Sequence, residues 1–212
     1  MKKILSILCA VAMIFTVAGC GAQEKPDAVV SKFCDAMKTM DLETMQSYIV
    51  DQDGEPFDVE DIEDEDFPAS VYEILKENAS QIQYTIGEVE VTEDTSTVQV
   101  DFTYPDASAA VVAATGEYIS QALGMALSGA DADDDAISEL FETILTEKLT
   151  SADTKTAEGT LQFDCVMTDD GWRIQDVSDE DAFINILMSN IMAGFNAIEN
   201  EENAHAEEEA EE

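Results

Sequence analysis

The apolar positions change period along the chain, and each change marks an element. From Pro26, a residue suited to the first turn of a helix, Val29, Val30, Phe33, Cys34, Met37 and Met40 recur at three- and four-residue spacing and define one apolar face. Asp41 is placed to cap a second short helix carrying Leu42, Met45, Tyr48 and Ile49, so residues 26–50 read as a helical hairpin or a kinked helix. Pro68 opens a third helix through about Asn78, with Val71, Ile74 and Leu75 inward. The period then falls to two. Ile82, Tyr84 and Ile86 alternate with polar residues, Val89 and Val91 continue on the opposite parity, and Gly87 sits where the phase slips, which predicts a bulge. Val98, Val100, Phe102 and Tyr104 form a second alternating strand that Pro105 is expected to stop.

Residues 106–128 are rich in alanine and larger apolar side chains and read as a buried helix, broken at Ser128-Gly129. A further helix carries Ile137, Leu140, Phe141, Ile144, Leu145 and Leu149. Leu161, Phe163, Cys165 and Met167 then share a strand face, Asp169-Asp170-Gly171 makes a hairpin turn, and Trp172, Ile174 and Val177 return. A last amphipathic helix runs from about Asp179 to Ile198. The fold class is therefore α+β: a curved antiparallel sheet of about four strands against an N-terminal helix pair, with a helical insertion over 106–150 and a C-terminal helix.

Charge refines the boundaries. Ten acidic residues crowd into positions 51–66, so 51–67 reads as an acidic loop in which like charges resist compaction. The tail 199–212 holds eight glutamates and no large apolar residue, the composition of a disordered segment. Residues 26–198 make one domain. The formal net charge is −39. Such a surface is repelled by phosphate backbones, which argues against nucleic acid as a partner, and by anionic head groups. It attracts cations, basic peptides and basic proteins; the plainer reading is a device for solubility.

The first twenty residues are a secretory leader by their parts. Lys2 and Lys3 precede an apolar run from Ile4 to Val17, too short at roughly 14 residues for the ~20 that span a bilayer. The run closes with Val17-Ala18-Gly19-Cys20. This motif resembles the lipobox of bacterial lipoproteins. The resemblance implies a signal peptide over 1–19, cleavage between Gly19 and Cys20, a lipid-bearing Cys20, and a tether over 20–25. It also implies attachment to the extracytoplasmic face of a cell membrane. One acyl chain anchors only marginally, at about 0.8 kcal/mol per buried CH₂, whereas two or three hold stably.

The helix over 26–50 and the paired strands ending in Asp170-Gly171-Trp172-Arg173-Ile174 are similar to a theme in small lipoproteins of Gram-positive bacteria. Their domains are of the nuclear-transport-factor-two-like or cystatin-like kind. That resemblance implies a sheet wrapped around a long helix and a cone-shaped cavity. The insertion at 106–150 departs from its simplest form and is placed to fill or cover the cone.

Candidate chemistry is sparse. The single histidine, His205, lies in the acidic tail, where nothing holds a general base within reach of a target. No phosphate loop, nucleophile elbow or dinucleotide fingerprint occurs. Asp101 and Asp164 alternate away from the apolar strand faces. Asp131, Asp133 and Asp135, with Glu142 eleven residues after the first, imitate a calcium-binding loop, although Ala136 stands where that loop needs glycine. Acidic residues at a helix start are also favoured by the helix dipole without a metal. Tyr84, Phe102, Tyr104 and Trp172 are candidates for lining a cone pocket. Cys34 and Cys165 lie on apolar faces of a helix and a strand. Export favours a bridge between them, and two separate buried thiols are the other reading. The expectation is a membrane-anchored, non-enzymatic binding or interaction domain. The alternatives are a small-molecule or enzymatic cone pocket and a calcium-binding surface protein.

Overall fold

A computed structural model of the chain describes residues 24–50, 68–128, 134–151 and 155–198. The leader with Cys20, the acidic run 51–67 and the tail with His205 lie outside the described residues. Four strands, β1 (Gln83–Val91), β2 (Thr95–Asp106), β3 (Lys155–Thr168) and β4 (Gly171–Val177), form one antiparallel sheet in chain order. Alternation dictates its faces. Val98, Val100, Phe102, Leu161, Phe163, Cys165 and Ile174 are buried on the inner face, whereas Asp101 and Asp164 project from the outer one.

The bulge forms where the phase slips. Ile86 faces Val100 and Val89 faces Val98, so Gly87 and Glu88 together oppose Gln99. The extra residue returns Val89 and Val91 to the inner side. A second irregularity sets Cys165 opposite Ile174 but Asp164 opposite Asp176, which keeps Val177 inward as well. Gly171, with φ +113°, enters β4 from the tight turn in a conformation that favours glycine. Pro105 does not stop β2, which pairs on through Asp106 opposite Lys155. Beyond Thr103 β1 no longer flanks it, and an edge accepts a residue without an N–H.

Helix α1 (Pro26–Met37) buries Val29, Val30, Phe33, Cys34 and Met37. Met40, at φ +49°, turns the chain into α2 (Leu42–Gln46), whose first turn Asp41 caps through the Thr44 N–H at 3.0 Å. Ile49 does not continue that helix. It pairs in parallel with Ile174, and the Val50 N–H donates to the Ile174 carbonyl at 2.8 Å. The β-branched pair Ile49-Val50 favours this extended form. Helix α3 (Ala69–Ala79) buries Val71 and Leu75 and leads into β1.

The insertion is two antiparallel helices, α4 (Ser108–Ser128) and α5 (Asp134–Ser151). Their packing is chiefly on each other and, for α5, on α3. The space over the inner sheet face is filled instead by α1 and by α6 (Glu180–Leu187), with Phe33 meeting Phe163 edge-on at 5.6 Å and Phe183 at 6.0 Å. Each such ring contributes about 1.5–3 kcal/mol through burial. The C-terminal helix expected over 179–198 is two. After α6 the chain takes left-handed conformations at Ser189 (φ +55°) and Asn190 (φ +58°), then forms α7 over residues 191–198. The break is held from outside, since the Ala107 N–H donates to the Ser189 carbonyl at 2.8 Å.

Candidate functional site

The sheet has two unlike ends. At one, the Glu93-Asp94 and Asp169-Asp170 turns close the two hairpins. At the other, α3 enters and α4 leaves. Helix α1 starts at the turn end, where Glu24, Lys25, Pro26 and Asp27 adjoin Val89, Val91 and Trp172 around a shallow recess of about 430 Å³. Three facts of sequence build this recess. The Gly87 bulge aims Val89 and Val91 inward, proline starts the helix beside them, and Gly171 delivers Trp172 from the turn. The two valines remain 36% and 56% exposed because α1 begins too late to cover them. Sequence reading placed both in a strand but missed the recess, whose only local signal was two apolar residues beyond the bulge.

The four aromatic candidates do not share a cavity. Tyr84 and Phe102 are cross-strand neighbours with ring centroids 6.4 Å apart. Tyr104 lies beyond them on β2, its hydroxyl 3.5 Å from the Asn190 side-chain oxygen. Trp172 stands near the opposite end, paired with Met167. Phe102, Tyr104 and Trp172 are buried in the packed interior, so the cone lining expected of them is occupied by protein. The Tyr84 hydroxyl lies 2.9 Å from an Asp35 carboxylate oxygen and 3.0 Å from the Ser31 carbonyl. Burial first, then the Asp35 hydrogen bond, push this phenol above its ordinary range. It stays protonated and clamps β1 to α1.

The outer face carries a second depression, of about 470 Å³. Exposed Gln83, Thr85, Asp101, Glu158 and Thr160 rim it, and the alternating positions Tyr84, Phe102 and Gly159 form its floor. The Thr160 hydroxyl donates to Asp101 at 2.7 Å, and the Gln162 amide donates to Asp164 at 2.9 Å. Open and acidic, this face suits a cationic or hydrogen-bonding partner better than an apolar ligand.

Of the calcium candidates, Asp131 and Asp133 lie outside the described residues. Helix α5 begins at Asp134, so position 135 and Glu142 stand on continuous helix where a calcium loop would wrap its ion. Glu142 accepts a hydrogen bond from the Ser70 hydroxyl at 2.8 Å. Among the described residues no group of three or more acidic, cysteine or histidine side chains is gathered closely enough to hold a metal ion.

Cys34 and Cys165 are free and buried, the second of the two readings. Cys34 lies on the buried face of α1, and Cys165 on β3 stands opposite Ser96 and Ile174. Among the described residues no helix is long and apolar enough to cross a membrane. Compared with known proteins, the chain matches no family model and no curated sequence.

Proposed function

We propose that this protein is a lipid-anchored, extracytoplasmic interaction module without catalytic activity. The observation that carries the reading is a spacing: five residues, Gly21 to Lys25, separate Cys20 of the Val17-Ala18-Gly19-Cys20 motif from the first helical residue, Pro26. Fully extended, the six steps from Cys20 to Pro26 reach at most about 22 Å. An acylated Cys20 therefore keeps the turn end of the sheet, with Val89, Val91 and Trp172, close to the bilayer. The outer sheet face, with Asp101, Glu158 and Asp164, is then the surface offered to a basic protein or peptide. The packing of α1 across an antiparallel sheet supports the likeness to nuclear-transport-factor-two-like domains, and the filled inner face supports interaction over enclosure of a small molecule.

Mass spectrometry of the native protein tests the anchor. A mature chain starting at Cys20 and carrying acyl mass is expected, with Cys20→Ala leaving the leader attached and the acyl mass absent. A native chain starting elsewhere, or an unmodified Cys20, would refute it.

A further inference from the structure

We propose that the solvent face of α4 is a self-association seam, on which a second copy of this chain packs its own α4 in antiparallel orientation. The helix buries only Ala110, Val111 and Ala114. Its α5 side is accounted for by the Glu117–Lys148 ion pair and by Tyr118 packed edge-on against Phe141 at 5.3 Å. The opposite side carries Val112, Ile119, Leu123 and Leu127, which are 41%, 51%, 58% and 81% exposed. Positions 112, 116, 119 and 123 follow the four-three-four spacing of a helix-pairing seam rather than the broader stripe of a core-facing helix. At 116, within this seam, the residue is glycine, and a Cβ built there meets nothing within 4 Å, which leaves room for another backbone to approach closely.

Charge selects the occupant. The chain is 27% charged, yet the stripe of α4 from Val112 to Leu127 carries no ionised side chain; Glu117, the helix's one charged residue, is turned away from it and paired with Lys148. A basic partner finds no carboxylate here. A bilayer is disfavoured too, because an interfacial helix carries a strongly charged polar face rich in lysine and arginine, and α4 has neither residue. It also leaves the sheet at the end away from the one where α1 starts. Two copies of a chain of net charge −39 repel through most faces; through this one they meet without opposing carboxylates. A two-fold axis makes such a contact self-complementary, and antiparallel pairing brings unlike helix-dipole ends together. The stripe from Val112 to Leu127 is centred between Ile119 and Ser120, so the axis passes beside Ser120.

The test is cysteine cross-linking of the full chain in intact cells and washed membranes, using Ser120→Cys, with Glu90→Cys on β1 and the unsubstituted chain as controls. The native thiols Cys34 and Cys165 are buried and do not compete. We expect a non-reducing species of twice the mass from Ser120→Cys and from neither control. Its yield should rise as salt increases from about 0.01 M to about 1 M, which shortens the Debye length from about 30 Å to about 3 Å. Adding Leu123→Glu, a change at an exposed site, should lower the yield about tenfold or more while leaving Trp172 fluorescence native. A monomer at every salt concentration, equal yields from Glu90→Cys, or an adduct of another mass would each overturn the proposal. If the chain is not membrane-bound, the same species is sought in the soluble fraction with Cys9 and Cys20 replaced by alanine in every variant, so that no other exposed thiol cross-links and this test and that of the anchor fail separately.

Discussion

Gly194 in α7 lies so close to Val111 in α4 that a Cβ at 194 would stand 2.7 Å from the valine Cβ and 2.8 Å from the Ser108 carbonyl oxygen. The carbonyl is backbone and cannot rotate aside. Alanine ordinarily gains about 1 kcal/mol over glycine inside a helix, but forced overpacking costs about 1–3 kcal/mol. The second effect wins here. Gly194→Ala is expected to lower the thermal midpoint by unseating α7. Gly159→Ala, whose Cβ would make only ordinary contacts at 3.5 Å and beyond with Tyr104 and Ile186, should leave it unchanged or slightly raised. Equal midpoints for the two variants would show that α7 does not rest on α4.

The two thiols are expected to map as free cysteines in the native protein under non-reducing conditions. They should also resist a thiol reagent in the folded state, because burial favours the unreactive protonated form. Labelling should follow unfolding as denaturant is added. A peptide joining Cys34 to Cys165 would mean that α1 sits differently on the sheet.

Alkali should destabilise the fold, with a sign that burial dictates. Cys165 is pushed up to about 12 from an ordinary 9.0, first by burial and then by neighbouring Asp164. Cys34, Tyr84 and Tyr104 are raised too, in each case first by burial. Each group holds its proton more tightly when folded, so its contribution is complete below its unfolded value and declines above it. Stability should begin to fall above about pH 9, by up to about 1.4 kcal/mol per pH unit for each such group. Denaturant midpoints between pH 8 and about pH 11 measure the slope, and Cys165→Ala should flatten it. A flat profile would contradict the buried, protonated state of these groups.

Trp172 is the chain's single tryptophan, which makes its fluorescence a reporter of the turn end. With the lipidated protein in vesicles, head-group quenchers should dim it. Val91→Asp, which introduces a charge at a site already 56% exposed, should weaken the quenching while changing stability by less than about 0.5 kcal/mol. Emission indifferent to the quencher would place the recess away from the lipid.

Wherever a signal was local, reading the chain sufficed. Period-two and three-to-four spacing located both hairpins and most of the helices, because burial of one face selects those positions whatever lies above them. Asp41 announced its cap, Gly87 its bulge and Gly171 its turn, since each meets a demand made by its immediate neighbours. Other features had no local signature. An apolar face states that something covers it, not what does, so α4 read as buried although half its length stands in solvent. Ile49 left its helix for a distant Ile174, and another helix broke at Ser189-Asn190 under contacts from Tyr104 on β2 and from Ala107. Trp172 parted from Tyr84, Phe102 and Tyr104 because strand register fixes separations that spacing along the chain does not encode. These outcomes belong to long-range packing, where the energy of a residue depends on partners remote in sequence.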